Sequence, residues 1–248
     1  MSDTSVTITM ADGECDADLF VPEGEGPWPA VLYYMDAPGI RPVLQDMARR
    51  LASHGYVVLL PNLFYRAGRA PLWDVATAFQ DETVRNRIFS LMHALTPDVV
   101  QADTESFIEY LEDQPSVRGP YLGIVGYCMS GAMALRVAAQ FPDRVVAALS
   151  FHGGNLATDA EDSPHLLAGE IDARVYVGCA AEDHSLPPEM IDRLRAAFEA
   201  AGTNHQIEIY PDTKHGWTMQ GFAVYQQEGA ERHWDRMLAL FNETLQPA

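Results

Sequence analysis

Basic residues are scarce in this chain. Its 248 residues hold 16 Lys and Arg against 35 Asp and Glu, a formal net charge of −19. Nucleic acid and anionic membranes are bound through clustered Lys and Arg, so neither is expected as a partner. The same field disfavours strongly anionic substrates unless local arginines overrule it. Cysteine is scarce as well: Cys15, Cys128 and Cys179 are an odd number, and none has the spacing of a metal knuckle or a CxxC pair. A disulfide framework is excluded and a reducing compartment fits. No apolar run reaches membrane-spanning length. The first residues lack the basic and apolar regions of an export signal, so the expected location is the cytoplasm. Repeats, low-complexity tracts and Ser/Gly-rich linkers are absent, and a single domain over 1–248 is expected. With 48% hydrophobic residues, a chain of this length builds its core without disulfide or metal staples.

What is present alternates between strand and helix. Two short strands, Val6–Met10 and Cys15–Val21, flank an Asp-Gly at 12–13 and predict a hairpin. Continuous apolar runs at Ala30–Met35, Tyr56–Leu60, Leu122–Val125, Val145–Phe151, Arg174–Val177 and Gln206–Tyr210 predict buried strands. Between them lie predicted helices over Arg41–His54, closed by Gly55, Asp98–Asp113, Pro188–Ala201 and Glu228–Leu245. Leu72–Gln80 and Thr83–Leu95 read as loosely helical surface segments. Apolar strands alternating with helices predict an α/β fold with a mostly parallel central sheet covered on both faces and an N-terminal antiparallel hairpin.

Reactive groups in such sheets gather past the carboxyl ends of the strands. Five residues stand there: Asp36, Cys128, His152, Asp183 and His215. Cys128 lies in Gly126-Tyr-Cys-Met-Ser-Gly131, between a buried strand and a helix. That is the form of a nucleophile elbow, with small residues giving room for the turn. A helix N-terminus also favours a thiolate; the plainer alternative is a buried packing thiol. His215, in a Gly-flanked loop after the last strand, is the candidate base, since this fold orders its triad nucleophile, acid, histidine. Asp183, with Glu182 as its rival, is the candidate acid that orients the imidazole. His152, in Phe151-His-Gly-Gly154, is a candidate pocket wall. His165, His205 and His233 read as surface residues. Asp36 opens the loop that supplies this fold's second oxyanion donor, so the backbone N–H groups of Ala37 and Met129 are the candidate oxyanion hole.

On these residues the chain resembles the dienelactone hydrolase (carboxymethylenebutenolidase) family, small α/β hydrolases with a cysteine nucleophile. The match runs from about Ala30 to Trp217 and rests on Gly126-Tyr-Cys128, Asp183 and His215-Gly-Trp217. His54-Gly-Tyr56 and Pro61-Asn-Leu-Phe-Tyr65 add to it. The resemblance implies an α/β-hydrolase fold, with Cys128 as nucleophile, His215 as base and Asp183 as acid. It also implies that Asp36 stands where the family carries a glutamate that partners the resting thiol. Three departures are visible. Asp36 is one methylene shorter, Ser130-Gly131 replaces a Gly-Gly pair, and Met219 stands where dienelactone-cleaving members place a carboxylate-binding arginine. Arg66, Arg85 and Arg87 are the remaining candidates for that task.

The expected activity is therefore hydrolysis of a small ester or lactone, more neutral and apolar than a dienelactone, through a thioester. Tyr34, Tyr65, Trp217 and Met219 are further candidates for an apolar pocket wall. No metal and no organic cofactor is expected, and the expected assembly is a monomer or homodimer. Two alternatives stay open: a ligand-binding or redox-sensing protein with Cys179 as the resolving thiol, and a lyase or isomerase that uses Asp36 as a proton shuttle.

Overall fold

The structure, a computed structural model, describes residues 1–246. The chain divides into two compact units, residues 1–119 and 120–246 of the described chain.

In the first unit, β1 (Ser2–Met10) and β2 (Gly13–Val21) form the expected antiparallel hairpin, with Met10 opposite Gly13. The turn itself is Ala11–Asp12, so the glycine opens β2 rather than sitting in the turn. β2 pairs antiparallel with β4 (Val57–Pro61), which pairs parallel with β3 (Trp28–Tyr34). The apolar runs of β3 and β4 are buried along nearly their whole length, as strands covered on both faces must be. Helix α1 (Pro42–Ser53) packs on β2 and β4 and turns Leu44, Met47, Ala48, Leu51 and Ala52 inward, a helical stripe. Helix α2 spans Glu82–Ala94 and α3 spans Pro97–Glu112. Leu72–Gln80 holds turns rather than a helix. The helix starts only where the Asp81 side chain accepts from the Thr83 and Val84 N–H groups, satisfying donors that the first turn leaves open.

In the second unit β5 (Val117–Tyr127), β6 (Val145–Phe151), β7 (Arg174–Glu182) and β8 (His205–Lys214) run parallel in that order. Helices α4 (Met129–Gln140), α5 (Pro188–Ala201) and α6 (Gln227–Leu245) connect and close them. The register lines up the strand ends that matter. Tyr127 lies opposite Phe151, and Phe151 opposite Gly178, so Cys128 and His152 leave the sheet side by side. β7 and β8 continue past their apolar runs until Glu182 pairs with Lys214. The next residues are Asp183 and His215, brought together by strand pairing alone. α6 closes over β5 at Gly123, where an added Cβ would meet the Phe241 ring at 2.4 Å. Burying a side chain such as Phe241 there contributes roughly 1.5–3 kcal/mol.

His233 corrects the sequence expectation. It is fully buried on α6, with Nε2 3.1 Å from the Tyr127 hydroxyl and its ring 4.6 Å from that of Phe151.

Candidate active site

Cys128 is the N-cap of α4, at φ 56° and ψ −117°. A non-glycine residue rarely adopts such a backbone, and it marks stored strain at a tight corner. Three local features hold the corner. The Ser130 hydroxyl accepts from the Tyr127 N–H at 2.8 Å and donates to the Tyr127 carbonyl at 3.0 Å. The Cys128 N–H donates to the Phe151 carbonyl at 3.2 Å, and its own carbonyl accepts from Gly131 and Gly154. Two glycines give the necessary clearance: a Cβ on Gly126 would come within 2.1 Å of the Ser130 carbonyl oxygen, and one on Gly131 within 2.6 Å of the Gly153 Cα. The Ser130 hydroxyl thus pins the turn. The Cys128 thiol is half-buried, whereas Cys15 and Cys179 are fully buried. Burial pushes both of those thiols up to about 12, so neither is an accessible thiolate.

His215 Nδ1 donates to Asp183 Oδ2 at 2.7 Å. The other oxygen of Asp183 accepts from the Ser185 hydroxyl at 2.6 Å and the Ser185 N–H at 2.9 Å. Ser185 Oγ also lies 3.1 Å from His215 Nδ1. Burial raises the Asp183 carboxyl, but the hydrogen bonds from His215 and Ser185 outweigh it and hold the group below the usual carboxylate range. Burial pulls the His215 imidazole down. The Asp183 hydrogen bond and the Cys128 sulfur, which is also hydrogen-bonded to the ring, reverse that and carry it up to about 10. With Nδ1 committed to Asp183, Nε2 is the nitrogen left for sulfur. Glu182, the rival acid, is exposed and pairs with Lys214 at 3.4 Å.

Ser185 was not read from the sequence. The signal was there, since a serine two residues past an aspartate is an Asx-turn pattern. His152, Trp217 and Met219 are fully buried and so expose no surface to a ligand. His152 packs edge-on to His215, ring centroids 5.2 Å apart, and Trp217 packs 4.8 Å from Tyr210. Met129 opens α4, which places its backbone N–H at the helix N-terminus.

In the first unit, Asp36 and Ala37 follow β3 and both are buried. Arg41 grips Asp36 with both terminal nitrogens, Nη1 on Oδ1 and Nη2 on Oδ2, the latter at 2.7 Å, and donates to the Gly39 carbonyl at 3.0 Å. This is a buried, two-pronged charge pair, the strong form of such contacts. Tyr34 is fully buried with its hydroxyl 2.7 Å from Thr104 Oγ1, and Tyr65 donates to Asp103 at 3.0 Å. Arg66 also pairs with Asp103, at 2.7 Å. Among the described residues no His, Cys, Asp and Glu cluster has metal-binding form, and no helix is long and apolar enough to cross a membrane.

The model of the dienelactone hydrolase family matches residues 15–245. A protein of Methylorubrum extorquens with a provisional carboxymethylenebutenolidase assignment is 28% identical over 242 residues, covering 96% of this chain and 80% of its own. The carboxymethylenebutenolidase of Pseudomonas putida is 24% identical over 234 residues, covering 94% and 93%. Among solved structures, a provisional dienelactone hydrolase from Klebsiella pneumoniae superposes with a TM-score of 0.83 at 26% identity, covering 97% of this chain and 98% of that one. The fold class is that of the α/β hydrolases.

Proposed function

Because the chain belongs to the dienelactone hydrolase family, a family of hydrolases, we propose that it cleaves an ester or lactone through a thioester on Cys128. The observation that carries this is the His215 imidazole held by Asp183 at 2.7 Å, with the Cys128 sulfur also raising its proton affinity. His215 takes the proton of the Cys128 thiol as general base. The sulfur attacks the carbonyl carbon, and the oxyanion forms against the Met129 N–H at the start of α4. The second donor, Ala37 N–H, is assigned from the loop pattern after β3 alone. Each such donor is worth about 3 kcal/mol of barrier. As the C–O bond breaks, His215 gives its proton to the departing oxygen. It then takes one from water, which attacks the thioester and releases the acid and the thiolate.

The preferred substrate is neutral. Met219 replaces the family's arginine and is fully buried, and the chain carries a net charge of −19. Steady-state hydrolysis of matched neutral and carboxylate-bearing aryl esters and lactones tests this. The neutral member is expected to have the higher kcat/KM by about tenfold or more, the scale of a missing charge partner. Equal or reversed preference refutes the assignment.

Both alternatives are weaker. A redox switch needs a resolving thiol, and Cys179 is fully buried, with burial pushing its thiol up to about 12. A proton shuttle at Asp36 needs an accessible carboxylate, and Asp36 is buried and clamped by Arg41 through both oxygens.

A further inference from the structure

His152 is fully buried beside the reacting pair and has no role in the mechanism above. Its backbone is unusual, with φ at 39°, a conformation that costs a non-glycine residue about 1–3 kcal/mol. Residues on either side tie it to the elbow. The Phe151 carbonyl accepts from the Cys128 N–H at 3.2 Å, and the Gly154 N–H donates to the Cys128 carbonyl at 3.3 Å. His152 N–H donates to Gly178 at 2.8 Å, which keys the segment to β7 as well.

The side chain reaches the other half of the site. His152 Nε2 lies 2.8 Å from the hydroxyl of Thr218, in the loop that carries His215. Its ring packs edge-on against His215 at 5.2 Å and Trp217 at 5.1 Å. His152 thus sits in a segment whose neighbours, Phe151 and Gly154, bond to the nucleophile's turn, while its own side chain bonds to the base's loop. A phenylalanine would fill the space and lose Thr218. An amide would reach Thr218 and lose the flat surface between the two rings.

We propose that His152, acting with Thr218, is a positioning residue that sets the separation of His215 and Cys128 by locking the 215–218 loop to the segment stitched to the elbow. This rests on the Cys128–His215 chemistry proposed above. A misplacement of about 1 Å between reacting groups can cost a hundredfold in rate, which is reason enough for a buried brace.

The titratable groups facing His215 are Cys128 from the elbow, Asp183 from the end of β7 and His152 from the end of β6, and the Ser185 hydroxyl lies 3.1 Å from its Nδ1. Thr218→Val keeps volume and removes the hydroxyl, Thr218→Ser returns the hydroxyl, and His152→Gln keeps a polar reach without the ring. For each, and for the wild-type protein, NMR follows the His215 ring titration, iodoacetamide measures Cys128 alkylation against pH, and an activated aryl ester gives kcat and KM. Circular dichroism checks folding. Thr218→Val is expected to lower kcat about tenfold or more with KM little changed, and to move the His215 titration downward from about 10. Thr218→Ser is expected to recover most of both. If His152→Gln does not fold, the Val and Ser pair decides. A Thr218→Val protein whose titration, alkylation profile and kcat match wild type overturns the proposal. A wild-type protein inert to every ester would instead count against the hydrolase assignment, while the titration and alkylation would still report on the brace.

Discussion

His215 is held by two partners, and its protonation follows from them. The Asp183 hydrogen bond and the Cys128 sulfur together carry the imidazole from the usual 6.5 to about 10, against the pull of burial. A group raised in this way adds stability that is fully present below about pH 6.5 and is lost as pH rises through about 10. Asp183 works in the other direction. Its stabilising effect is present above the usual carboxylate range and fades as pH falls through its lowered value. Removing the sulfur isolates one contribution. In Cys128→Ala the His215 ring titration, followed by NMR, is expected to fall below about 10 while staying above 6.5, because Asp183 remains. An unchanged midpoint would show that the sulfur does not raise the imidazole. At this scale the Asx-turn spacing marks Ser185 but not the oxygen it takes, and nothing in the sequence marks Arg41 as the partner of Asp36. Their roles depend on which oxygen of an aspartate they reach, and a linear chain does not display that.

At the scale of elements, the elbow is a packing problem before it is a chemical one. Gly126 and Gly131 sit where a methyl group would strike backbone, at 2.1 Å and 2.6 Å. Forcing extra volume into such a site costs typically 1–3 kcal/mol. Gly131→Ala is therefore expected to destabilise the protein by about 2 kcal/mol in chemical denaturation. Gly169→Ala, where an added Cβ meets nothing within 4 Å, is expected to be near neutral. Equal effects at the two positions would remove close packing as the reason for the small residues. Much of this scale was legible. β6 and α5 lie where the apolar run and the paired prolines place them. β7 and β8 were read short because their last residues are polar and paired, as Glu182 is with Lys214. A hydrophobic run cannot reveal that extension, yet it is what delivers Asp183 to His215. Residue type alone points His233 outward, and its position on the helix points it inward. Its spacing with Ala230, Trp234, Met237 and Phe241, all buried, is a helical stripe that marks it as inward.

For the molecule as a whole, the candidate site was legible because three signals converge on it: an elbow spacing, an order of nucleophile, acid and base, and loops past strand ends. Hairpin, parallel strands and family all follow from the same pattern, and the family model spans residues 15–245. The brace at His152 was less legible, since its partner Thr218 is distant in sequence and the link is a single hydrogen bond. The proposed hydrolysis turns on one covalent step. Intact mass spectrometry after rapid mixing with activated neutral esters and lactones observes that step directly, in the wild-type protein and in Cys128→Ala. The expected result is a transient acyl adduct on the wild type that localises to Cys128 and decays as product appears, with neither adduct nor turnover in the variant. Turnover by Cys128→Ala at a rate near wild type, or an adduct that maps to any other residue, would contradict it.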